Sequence, residues 1–111
     1  MVAGRIEFLP ERPHLRAADV HVWIEDVTYA DAPAARVFQK RMPAVSYGGE
    51  PEGIPFMLDY DPELSNRTYT LGVLVDLDGD SKAGRGDYIS DQAVKVPMDG
   101  TVARVRVQRI Q

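Results

Sequence analysis

The chain has 111 residues, the size of one ordinary domain, and its 44% hydrophobic and 27% charged residues exclude disorder as a class. It has no cysteine, which excludes disulfides, thiolate metal sites and thiol catalysis, and no apolar run of about 18 residues that would span a membrane as a helix. The net charge of −4 argues against a nucleic-acid footprint over the whole domain, and the acidity is local, since residues 59–91 carry eight carboxylates against three bases.

Helical periodicity is scarce, while short alternating stretches recur between turn signals, which predicts an all-β fold. Val2, Gly4, Ile6 and Phe8 share one parity and stop at Leu9-Pro10. Val20, Val22 and Ile24 alternate with His21, Trp23 and Glu25 as a half-buried strand. Thr28 to Ala35, with four alanines around a proline, reads as a helical turn at most. Arg36 to Arg41 is a weaker strand, because Val37 and Phe38 are adjacent and fall on opposite faces. Ile54, Phe56 and Leu58 form a strand that Pro55 places at a sheet edge, since proline cannot donate to a ladder. Tyr69, Leu71, Val73, Val75 and Leu77 make the longest single-parity run and are expected to be the central strand. Val94 with Val96, then Ala103, Val105 and Val107, complete about seven strands. Turn residues such as Gly48-Gly49, Asp61-Pro62, Gly84 and Asp99-Gly100 are spaced as in a sandwich. The expectation is a single antiparallel β-sandwich domain over residues 1–111, a monomer with a core of Ile6, Val22, Ile24, Phe56, Leu58, Leu71, Val73, Val75, Val94, Val105 and Val107.

Few residues invite catalysis. His14 and His21 lack helical ligand spacing, and His21, on the polar face of its strand, is expected at the solvent or rim. Ser46, Ser65, Ser81 and Ser90 sit in no nucleophile elbow, and no glycine-rich phosphate loop precedes a helix. Arg85-Gly86-Asp87 and Asn66-Arg67-Thr68 match an integrin tripeptide and a glycosylation acceptor only at chance length. Tyr29, Tyr47, Tyr60, Tyr69 and Tyr88 are expected to pack in the core with their hydroxyls at the rim. Arg104, Arg106 and Arg109 alternate outward from a strand as a stripe that could hold an acidic partner, and read first as a solvated face.

The informative segment runs from Asp76 to Asp87. Counted as a twelve-residue calcium loop, it sets Asp76, Asp78 and Asp80 at positions 1, 3 and 5, the Lys82 carbonyl at 7 and Asp87 at 12. Calcium takes six to eight oxygens, and alternating carboxylates converge only if the chain turns tightly around the ion. The segment resembles the calcium loop of dockerin repeats, which also carry aspartate at position 12. Ser81 replaces the glycine of position 6, Ala83 replaces the usual β-branched residue at 8, and no amphipathic helices flank it, so affinity is expected toward roughly 10⁻⁴ to 10⁻³ M. The competing reading is a solvated hairpin loop with a turn at Asp78-Gly79.

Leu9-Pro10, Ile24-Glu25-Asp26-Val27, Ala30-Asp31-Ala32-Pro33-Ala34, Ile54-Pro55-Phe56, Tyr60-Asp61-Pro62 and Tyr69 together resemble the YbaY-type lipoprotein family, which includes YscW-type pilotin chaperones of type III secretion. The resemblance spans roughly residues 2–75. It implies a compact β-sandwich of the periplasm or envelope without enzyme activity, whose pilotin members bind a secretin subunit. The expectation is that a secretory signal is either absent or removed, and the sequence has no cysteine for lipid attachment. The leading expectation is therefore a non-catalytic bacterial binding or assembly module with a candidate calcium loop. Its rivals are a small enzyme using carboxylates such as Asp59, Asp61 or Asp87, and a purely structural domain.

Overall fold

Side chains two apart along a strand share a face, so each single-parity apolar run commits one face of its strand to the core. The computed structural model describes residues 1–9, 11–28, 31, 33–61, 67–97 and 99–111. Within them lie eight strands and no helix: β1 (Val2–Phe8), β2 (Leu15–Asp26), β3 (Ala35–Tyr47), β4 (Ile54–Leu58), β5 (Tyr69–Asp76), β6 (Tyr88–Ser90), β7 (Val94–Lys95) and β8 (Ala103–Arg109). They form one sheet in the order β3-β2-β5-β6-β8-β1-β4. The short β6 and β7 share one side of β5, β6 pairing with Leu74 and Val75 and β7 with Thr70 and Leu71.

The all-β class expected from the alternation is present, and the two layers of the expected sandwich are the halves of this one curled sheet. Its ends approach each other, and the Lys40 ammonium on β3 donates to the Met57 carbonyl of β4 at 3.0 Å. Between the halves lies one core that unites Ile6 of β1, Val20, Val22 and Ile24 of β2, Leu58 of β4, Val73 and Val75 of β5, and Val105 and Val107 of β8. Every expected core residue is buried except Val94, which is half-buried on the two-residue β7. One pairing departs from the antiparallel rule: β1 and β8 run parallel, with Ile6 beside Val105. Parallel neighbours need a long connection, and most of the chain lies between these two.

β4 is a terminal strand, as Pro55 foretells, and it fits tightly because Phe56 lies over Gly4 of β1. A Cβ at Gly4 would sit 2.2 Å from the Phe56 ring, so only glycine allows this approach. Pairing of β2 with β3 is longer than the sequence suggests and is offset by bulges. Ala17 and Ala44, each at a register shift, take left-handed φ values of 52° and 55°. A bulge inserts one unpaired residue and sharpens local twist, which is what a sheet curling onto itself needs.

One expectation changes, and two features lie beyond the expected ones. Leu77 does not extend β5 but leaves the strand and is exposed, because the chain turns back to hydrogen-bond Asp76. β6 has three residues, too few for a parity signal. After β2 the chain bends by an Asp26 turn, in which Asp26 Oδ1 accepts the Thr28 amide at 3.0 Å and its hydroxyl at 2.5 Å. Pro10, Tyr29, Ala30, Ala32, Pro62, Ser65 and Asn66, which belong to expected turns and motifs, lie outside the described residues.

Candidate functional site

β5 ends on Asp76 and β6 begins at Tyr88, so the acidic segment is the connection between two antiparallel neighbours. Two of its carboxylates turn inward, Asp76 and Asp87 each being 1% exposed, while Asp78 and Asp80 stay at the surface. A buried carboxylate must be hydrogen-bonded to be tolerated. Asp76 accepts the Gly79 amide at 3.0 Å on Oδ1 and the Ser81 amide at 2.7 Å on Oδ2. Asp87 accepts the Leu77 amide at 2.9 Å and the Gly84 amide at 3.1 Å. The Ile110 amide donates to the Asp87 carbonyl at 2.8 Å, tying the end of the loop to the chain beyond β8.

Ser81, the residue replacing glycine at the sharp turn, adopts the glycine conformation with φ of 61°. The Asp76 bond to its amide holds it there against the steric preference of an L residue. One carboxylate oxygen from each of Asp76, Asp78, Asp80 and Asp87 lies within 4.8 Å of the others. Among the described residues this is the one group of three or more acidic or histidine side chains drawn so close. Lys82, expected to offer its carbonyl, is exposed, and its amide donates to Asp80 Oδ1 at 2.9 Å.

The four charges are unequal. Burial opposes ionisation of Asp76, yet hydrogen bonds from Asp78 and from the Ser81, Gly79 and Asp78 amides outweigh it and hold its carboxyl below the usual range. Asp78 is pushed up to about 6, first by the hydrogen bond it shares with Asp76, with desolvation and Asp80 adding to the effect. The loop is therefore closed by backbone amides and carries its repulsion at the surface. Such an all-oxygen set suits a hard cation such as calcium, not a soft one.

Beside the loop lies the outward face of β2 and β5. His21 sits at the rim, half-buried, within the expectation, but its Nε2 is turned inward: it has no hydrogen-bond partner among the described residues and lies 4.0 Å from Asp76 Oδ2. Trp23 lies over Gly72, where a Cβ would come within 2.3 Å of the indole. Its ring N–H donates to Glu25 at 2.8 Å, and the Arg36 guanidinium stacks 4.3 Å from the ring centre. Nothing in the linear sequence announces this cluster, because it is assembled by the register of β2 with β3 and β5.

The carboxylates of the enzyme reading are dispersed in role. Asp59 and Asp61 are exposed, Asp61 pairing with the N-terminal ammonium, whereas Asp87 is buried and bonded. That burial also removes Asp87 from the surface where an integrin tripeptide would have to offer it. Tyr47 and Tyr69 are buried, and Tyr60 and Tyr88 pack against the core, Phe8 stacking on Tyr47 with ring centres 5.0 Å apart. Arg104 and Arg106 are exposed and face Glu7 at 3.7 Å and Asp91 at 3.2 Å.

No protein-family model matches the chain, and no curated protein matches it. The fold is similar to the solved structure of an alternative pilotin from the type II secretion system of Vibrio cholerae. The TM-score is 0.69, the identity 21%, and the match covers 99% of this chain and 96% of that one. At that identity the likeness is one of fold.

Proposed function

We propose that the chain is a non-catalytic, pilotin-like binding and assembly module of the bacterial envelope or periplasm, with a secretin subunit as its partner. The observation that carries this reading is the fold shared with a pilotin over 99% of the chain. The YbaY-type and YscW-type resemblance supports it independently, since that rests on short segments and not on shape. Among the described residues of those segments, Ile54 and Phe56 are buried on β4, and Asp26 fixes the turn after β2. Among these described residues no two free carboxylates are placed together for acid–base chemistry. Affinity capture from a native envelope extract tests the reading. Recovery of a secretin is expected; turnover in a broad hydrolase screen, abolished by Asp61→Asn, would overturn it.

The second reading adds calcium at the Asp76 to Asp87 loop, with Asp76, Asp78, Asp80, the Lys82 carbonyl and Asp87 as ligands. It is favoured by the convergence of four carboxylate oxygens within 4.8 Å. A divalent cation would relieve their repulsion and let Asp78 ionise. Because amides already occupy the inner oxygens, binding is weak, and calcium at about 100 times its dissociation constant stabilises the fold by about 2.7 kcal/mol. Amide NMR shifts confined to Asp76–Asp87 at millimolar calcium, absent from an Asp76→Asn, Asp80→Asn variant, are expected. Fixed shifts return the loop to a plain hairpin.

A further inference from the structure

The outward face of β2, β3 and β5 forms a groove of about 660 Å³, within the range of built ligand sites. Its floor is apolar: Trp23, Leu74 of β5 and Ile89 of β6. Its rim carries the guanidiniums of Arg36 and Arg41 from β3, while Lys40, which also lines it, sends its ammonium away to the Met57 carbonyl of β4. Asp19 and Glu25 stand behind these two arginines, at Arg41 and at the indole N–H, and leave both guanidiniums exposed beside an apolar floor. Resting on the assembly-module reading, we infer that this groove is the docking site for an acidic segment of the protein partner, one that sets a large apolar side chain on Trp23 and its carboxylates against Arg36 and Arg41.

The floor is rigid before any partner arrives. Gly72 beneath, Glu25 at the ring N–H and Arg36 above fix the indole in one position, so little side-chain freedom is lost on binding. Aromatic and arginine side chains dominate interface energies once a partner desolvates them. Glu25 is the cross-strand neighbour of Arg36, but it accepts the indole N–H, and Arg36 forms no ion pair among the described residues. Arg41 is held at 2.9 Å by Asp19, which orients it without burying it. Charges along an exposed edge strand commonly serve only to prevent pairing with other chains. That accounts for Lys40, whose ammonium reaches the opposite edge, and not for Arg36, whose guanidinium lies on the indole.

Trp23 is the single tryptophan of the chain, so its fluorescence reports on the groove directly. A random peptide display library is selected on the intact protein. The expected winners carry Asp or Glu around one or two large apolar residues, shift Trp23 emission to the blue, and bind Arg36→Glu, Arg41→Glu more weakly by about tenfold or more. Arg104→Glu, Arg109→Glu makes the same change of net charge on β8 and is expected to leave binding unchanged. Both variants alter exposed side chains, and thermal melts verify that they fold. Selection without an acidic bias, no selection at all, equal weakening by the two variants, or emission shifts with phosphatidylglycerol vesicles alone would overturn the inference. A secretin that binds wild type and the Arg36, Arg41 variant equally overturns the groove and leaves the module reading standing. Selected peptides that behave as expected in a protein binding no secretin do the reverse.

Discussion

Asp76 shows what one residue decides: it ends β5, turns the chain, and holds Ser81 in a left-handed conformation through a 2.7 Å bond. An L residue there costs about 1–2 kcal/mol, partly offset in glycine by the larger entropy of its unfolded chain. Ser81→Gly is therefore expected to stabilise the fold by about 0.5–1 kcal/mol in urea denaturation; destabilisation would mean that the serine side chain has a role the geometry does not reveal. Asp76→Ala strands two amides and is expected to cost about 2–4 kcal/mol, whereas Asp80→Ala, at the surface, changes stability by under about 1 kcal/mol. The spacing of the aspartates could be read from the sequence. That two of them would be buried could not, because backbone amides that come from the turn itself are what make their burial tolerable.

Asp26 adds a pH dependence. The Thr28 hydroxyl and amide, and then Arg67, hold its carboxyl below the ordinary value of 3.8, despite an opposing effect of burial. A carboxyl whose folded pKa is depressed contributes stability that is fully present above the unfolded value and is lost as pH falls through the lower, folded one. Asp26→Asn is expected to flatten the acid limb of stability below about pH 4 and to leave the slope near neutrality unchanged, as followed by thermal melts across pH.

At the scale of elements, period-two patterning made β1, β2, β4, β5 and β8 legible, and the proline rule placed β4 at an edge. β3 was legible only in part because its bulges at Ala44 and near Val37 break the parity that a reader counts. The joining of β6 and β7 along one side of β5 was not legible, since strands of three and two residues carry no pattern. The Trp23 cluster was hidden for a different reason: Gly72 is recognisable as its seat only once β2 and β5 are in register. Gly72→Ala drives a methyl into the indole and is expected to cost about 1–3 kcal/mol, with a shift in Trp23 emission that reports the displaced ring. Val22→Ala, in the core on the other face of the same strand, is expected to destabilise without that shift.

For the whole molecule, one sheet curls over one core, and the loops and outward faces are left for recognition. The acidic loop and the Trp23 groove lie side by side, with Ser81 and Ala83 forming part of the groove wall, so an occupied groove and an ordered loop would be coupled. The account stands or falls on whether this molecule binds a secretin. Isothermal titration of the purified chain with a purified secretin subunit measures that directly. One-to-one binding, weakened by Arg36→Glu, Arg41→Glu, is expected; no binding under conditions where both components are folded would refute the assembly role.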